Sequence, residues 1–162
     1  MKINFLIIAL AALVPLIMGF IWYNPKVFGN TWMKSAGLDE EKLKGGNMPL
    51  IFGSMLVLSF FIAFMMQFIV IHQWGVFSTL AINGSDPATT PFFTDFMAEH
   101  GSNFRTFKHG ALHGFMNGLL FITPIIAINA AFERKGFKYI AINGGFWIVC
   151  LTIMGGLISQ FP

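Results

Sequence analysis

Four runs of the chain carry no Asp, Glu, Lys or Arg: residues 3–23, 48–71, 110–132 and 139–161. Each matches or exceeds the roughly 20 helical residues that cross a hydrocarbon core. A backbone in hydrocarbon has to satisfy its N–H and C=O groups internally, so runs of this kind are expected as helices. The pattern therefore predicts an all-α polytopic membrane protein, a four-transmembrane-helix bundle, with residues 1–162 as a single integral membrane domain. Lys2 followed by an apolar run resembles the start of a secretory leader. At 21 residues that run exceeds a leader core, and Gly19-Phe20-Ile21-Trp22-Tyr23 is a poor small-residue cleavage site, so an uncleaved first helix is expected.

The connections predict short interfacial helices. Asn24-Pro25 is a helix-start signal, Val27, Phe28, Trp32 and Met33 recur on one face, and Gly37 ends the segment. Asp39-Glu40-Glu41 reads as a second capped turn with acids at its positive end, broken by Gly45-Gly46-Asn47. The connection 72–109 is too long for a simple turn. Within it Asn83-Gly84-Ser85-Asp86-Pro87 carries turn chemistry, and Asn83-Gly84-Ser85 also matches a glycosylation acceptor. Thr90-Pro91 opens a helix running to Gly101, with Phe92, Phe93, Phe96 and Met97 on one face and Asp95 and Glu99 on the other. Such amphipathic segments lie in the headgroup layer.

Composition sharpens the picture. With 56% hydrophobic and only 10% charged residues, the chain is not an ordinary soluble domain, whose charged share is about 25%. Twenty Phe and four Trp exclude a disordered chain, and a net charge of +3, dispersed, gives no nucleic-acid surface. The single Cys150 allows no internal disulfide and reads as a small buried apolar residue. Lys and Arg set the orientation: placing 24–47 and 133–138 in the cytoplasm puts seven positive side chains inside and leaves three outside. Both termini and the 72–109 connection are then expected outside. Trp22, Tyr23, Trp74, Tyr139 and Trp147 fall mostly near span ends and read as an aromatic belt.

Trp22-Tyr23-Asn24-Pro25-x-x-Phe28-Gly29-x-x-Trp32-Met33, Gly45-Gly46-Asn47-Met48 and Ile142-Asn143-Gly144-Gly145-Phe146-Trp147 resemble the motifs of the small four-helix bacterial membrane proteins grouped as domain of unknown function 1761. The resemblance spans nearly the whole chain and rests on Trp22, Tyr23, Pro25, Phe28, Gly29, Trp32, Asn143 and Trp147. It implies a multi-pass architecture in a bacterial cytoplasmic (inner) membrane and no chemistry.

The spans hold Gln67, His113, Asn117, Thr123, Asn129, Asn143 and Ser159, each of which needs a partner in hydrocarbon. Gly110, Gly114 and Gly118 recur every fourth residue beside a stripe of His109, His113 and Asn117. Small residues at that period let helices approach closely, which makes the third span the expected central packing helix, with His113 and Asn117 bonded to Asn143 or Gln67. Thr123-Pro124 predicts a kink.

Three readings follow. The first is a structural or accessory bundle without catalysis, acting as a homo-oligomer or as a subunit of a larger membrane complex, with lipid as its other partner. The absence of charge inside any span favours it over ion transport. The second is a small-solute channel or carrier with a polar path along His113, Asn117 and Asn143. The third is a metal or haem site on His72, His109 and His113, with Asp95 or Glu99 as further ligands; His109-x-x-x-His113 places two imidazoles on one helix face. The first reading needs no cofactor, and no phosphate loop, catalytic carboxylate pair or nucleophile elbow points to an enzyme.

Overall fold

The computed structural model describes residues 1–82 and 85–161, the side chain of Glu40 apart. The turn at Asn83-Gly84 and the glycosylation acceptor at Asn83 fall outside the described residues. The described residues are helical, without a strand, and four helical stretches are long and apolar enough to cross a membrane: Phe5–Trp22, Met48–Val70, Phe107–Phe132 and Phe137–Gln160.

Two of the four are interrupted. The first divides into α1 (Phe5–Ala12) and α2 (Val14–Trp22) around Leu13. Pro15, fully buried in the first turn of α2, has no N–H to donate, and its ring crowds the carbonyl four residues back. The uninterrupted apolar run 3–23 does not by itself mark this break. In the third span α8 (Phe107–Asn117) leads through a single π-helical turn, Gly118–Ile122, into α9 (Thr123–Phe132). Pro124 removes one rung of the ladder, and the chain adapts by widening: the Thr123 N–H donates to the Gly118 carbonyl five residues back, and the Thr123 hydroxyl donates 2.8 Å to the same oxygen. The second span, α5 (Met48–Val70), and the fourth, α10 (Phe137–Gln160), are continuous.

The connections form the helices expected, with shifted starts. Asn24-Pro25 makes a turn, and α3 (Gly29–Ala36) begins later and ends on Gly37 in the left-handed conformation. Asp39 caps α4 (Glu40–Lys44), accepting 2.8 Å from the Lys42 N–H, and Asn47 caps α5 in the same way. In the longer connection α6 (Gln73–Leu80), absent from the sequence reading, follows α5 after one extended residue, Ile71. Thr90 caps α7 (Pro91–His100). Phe93 is the buried member of its aromatic face, while Phe92 remains exposed.

The fourth span, rather than the third, is the hub. α10 is the most buried of the four and contacts α1, α2, α3, α5, α8 and α9. The third span lies against it through glycine. A Cβ at Gly110 would overlap the Gly155 carbonyl, one at Gly114 the Leu151 carbonyl, and one at Gly118 would lie 2.6 Å from the Ile148 Cα. Backbone thus meets backbone along more than two turns, the close approach that small residues permit in lipid. The core gathers Ile8, Ala11, Ala63, Met66, Phe146, Cys150 and Met154 between the first, second and fourth spans. Phe61, Phe121, Phe132 and Phe137 stay exposed around the bundle, as side chains facing hydrocarbon do.

Successive spans are antiparallel. Phe20 packs on Phe52, Phe5 on Phe64, Gly110 on Gly155 and Gly144 on Thr123. One end of the bundle therefore carries α3 and the 133–136 turn. The other carries residues 1–4, the 72–106 connection and the end of α10.

Candidate metal centre

The residues that carry the family resemblance meet at the first of these ends. The Trp22 indole N–H donates 3.0 Å to the Ile142 carbonyl, and the Tyr23 hydroxyl donates 2.9 Å to Asn143 Oδ1. Phe28 packs on the Trp22 ring and Trp32 stands edge-on to Tyr23. Gly29 is required because a Cβ there would strike the Tyr23 carbonyl. Pro25 is exposed in the turn, its carbonyl accepting from the Asn30 amide, and Trp147 stands edge-on to Phe146, which itself contacts Trp22 and Tyr23. These residues form a clamp that fixes the end of α2 to the start of α10. The Trp22, Tyr23 and Asn143 side chains each find a hydrogen-bond partner within it.

The other end differs. Ile71 breaks α5 in extended conformation and delivers His72 to the mouth of the bundle. Thr106 caps α8 by accepting 3.2 Å from the His109 N–H, and Gln160 Oε1 accepts 2.8 Å from the Phe107 N–H, which ties the helix start to the end of α10. With the glycine stripe turned to α10, the adjacent stripe faces the end of α5. His72 Nε2 lies 2.8 Å from His109 Nε2, which lies 3.1 Å from His113 Nε2, and the ligand nitrogens of all three fall within 4.8 Å of one another.

As a hydrogen-bonded set this is poorly matched. A neutral imidazole nitrogen offers either one N–H or one in-plane lone pair. His109 Nε2 has two neighbouring nitrogens aimed at it and can serve one of them well. A cation accepting three lone pairs removes the conflict. Zinc–imidazole bonds of about 2.0–2.1 Å in a tetrahedron separate ligand nitrogens by roughly 3.3 Å, so a few tenths of an ångström of spreading seats an ion. His72 is exposed and His113 only partly buried, so the centre opens to solvent on one side.

Phe104 closes another side. Its ring tilts over His109 at 4.9 Å and meets His72 edge-on at 5.7 Å, both between centroids. Its backbone is left-handed, φ 63°, a conformation unusual for a bulky residue; its carbonyl accepts from the Ser159 hydroxyl and from the Thr106 N–H. Nothing in the sequence marks Phe104, because its strain and its position over His109 arise only when α8 docks on α10.

The remaining sequence candidates separate. Asn117 donates 2.9 Å to the carbonyl of His113 on its own helix and bonds neither Asn143 nor Gln67. Asn143 is engaged by Tyr23 and by the Tyr139 carbonyl, near the level of Thr123 and so several turns from His113. Gly110, Gly114 and Gly118 are covered by this chain's own fourth span. Gln67 is buried beside the first span, at the histidine end. Among the described residues Asp95 and Glu99 do not join the trio; Glu99 lies 3.7 Å from His100 instead.

No curated protein and no solved structure matches this chain. A family model described as "Protein of unknown function (DUF1761)" matches residues 6–159, and the chain, with its motif residues assembled in one clamp, belongs to that family.

Proposed function

We propose that this is a metal-binding integral membrane protein whose three-histidine centre holds one divalent transition ion, zinc foremost, at the membrane surface. The convergence of three Nε2 atoms, two from α8 and one from the turn between α5 and α6, carries the reading. Neutral imidazoles suit zinc among other borderline ions, and three protein ligands leave a fourth position for water or an exchanging ligand. Haem fits this arrangement less well. An iron ligated by two histidines holds them on opposite sides of a macrocycle, whereas here the nitrogens are in mutual contact.

The alternatives have less support. The glycine stripe that would drive self-association is already filled by α10, and the polar path is divided because Asn143 belongs to the opposite clamp. The Lys and Arg distribution favours both termini outside, which would put the centre on the outer surface of the bacterial cytoplasmic membrane that the family resemblance implies.

The test is elemental mass spectrometry of untagged protein purified in mild detergent without chelator, followed by zinc titration. About one ion per chain, lost in His109→Ala, is the expected result. A preparation that carries no stoichiometric transition metal and takes up no zinc at micromolar concentration overturns the reading.

A further inference from the structure

A second feature of the histidine end is independent of the metal centre. A cavity of about 480 Å³ opens between the start of α1, the end of α5 and the end of α10. Its volume is that of small-molecule sites. Its walls are largely apolar, with Ile8, Ile71, Trp74 and Ile158 among them, and Lys2, Asn4, Gln67 and Arg105 supply its polar side chains. Gln67 is 3% exposed, and its Nε2 has no hydrogen-bond partner. Arg105 spends its Nε–H on the Ser159 carbonyl at 3.4 Å, while its Nη2 is buried and unpartnered. Both orphaned groups are donors. Lys2 and the N-terminal end of α1, positive by its dipole, also line it, and among the described residues no Asp or Glu does. Burial also lowers the Arg105 pKa from its ordinary value, as expected of a guanidinium without a counter-ion.

Buried donors left without acceptors destabilise a fold, the more so when charged, and an acceptor-only ligand would offset that cost. We propose that this cavity binds the oxyanion headgroup of an acidic lipid, the anion accepting from Arg105 Nη2 and Gln67 Nε2 while its chain follows the apolar wall. The position at the end of the spans, where headgroups lie, selects a lipid over a soluble metabolite, and basic pockets between spans are suited to such headgroups.

The full-length protein is delipidated in nonionic detergent, then exposed to phosphatidylglycerol, phosphatidylcholine or inorganic phosphate. Native mass spectrometry reads bound ligand and circular dichroism reads thermal unfolding. Phosphatidylglycerol is expected to be retained over phosphatidylcholine and to raise the unfolding temperature. Arg105→Gln should weaken retention by about tenfold or more, as loss of a charge-assisted bond does. Gln67→Met, which removes an unpartnered amide without losing volume, should keep or raise the unfolding temperature yet bind the lipid more weakly. If inorganic phosphate alone gives the same Arg105-dependent protection, the oxyanion site stands and its source is a free anion. Equal retention of the two lipids by wild type overturns the proposal, as does wild-type retention in both variants. The comparison between lipids on wild type decides even if Arg105→Gln fails to fold.

Discussion

The two ends of the bundle are built from similar residues and treat them in opposite ways. At the clamp end, Trp22, Tyr23, Asn143 and Thr123 each reach a partner on the same or a neighbouring helix, and Lys135 Nζ donates to the Ala36 carbonyl at the last turn of α3. At the histidine end, three imidazoles crowd one another, Phe104 is held in a left-handed backbone, and the buried donors of Gln67 and Arg105 lack acceptors. Unsatisfied polar groups in a low-dielectric surrounding are costly and normally avoided. They gather at the histidine end, whereas Trp22, Tyr23 and Asn143 at the other end are partnered, so the candidate ligand sites lie at the histidine end. The family motif is thus a structural signature; the candidate chemistry lies at the far end of the spans from it.

The difference can be broken most severely between the two ends. Gly114→Leu has to push α8 off the Leu151 carbonyl, and with it both the histidine stripe and the core of the bundle. Loss of a monodisperse, helical protein in size-exclusion chromatography and circular dichroism is expected; a stable variant with unchanged unfolding temperature would show that the close approach is dispensable.

Next in size is the metal centre. His109 is the nitrogen common to both short contacts, so His109→Ala should reduce zinc affinity by more than the roughly 10–100-fold typical of outer-shell changes, with the unfolding temperature nearly unchanged in chelator. Because protons compete for the same lone pairs, zinc affinity should fall as pH is lowered, measured by titration calorimetry at successive pH values. An affinity flat with pH argues against imidazole ligands.

Smaller effects sharpen the contrast. Phe104→Asn places a residue tolerant of the left-handed region at φ 63° and removes a ring that is largely exposed. Stability is expected to rise by about 1 kcal/mol, the usual scale of such strain, while the bound ion exchanges faster with chelator. At the clamp end, Tyr23→Phe removes one interhelical hydrogen bond and should cost about 0.6 kcal/mol of unfolding free energy, the average for such bonds in membranes, without changing metal content. An equal loss of metal in this variant would mean that the two ends are not independent.

The four spans, the interfacial helices near 29–36 and 91–100 and the helix starts at Asp39 and Thr90 were legible in the sequence, because hydrocarbon forces helix on any long uncharged run and capping is a local interaction. The histidine trio was legible as a possibility, since His109 and His113 share a face by spacing alone and any turn out of α5 returns His72 to the same end. Local pattern could not show which helix would be the hub, because the glycines of the third span and those of the fourth are equally small and only docking reveals which helix the others surround. Nor could it show that Asn143 answers Tyr23 across 120 residues, or that Arg105 turns into a cavity while the nearby Lys108 remains exposed. The sequence by itself determined that the chain lives in a membrane and where it crosses, since both follow from the transfer of short segments into hydrocarbon. Tertiary packing decided which polar groups found partners and which did not, because that depends on the groups brought within hydrogen-bond reach, a property of pairs of distant residues and not of any one segment.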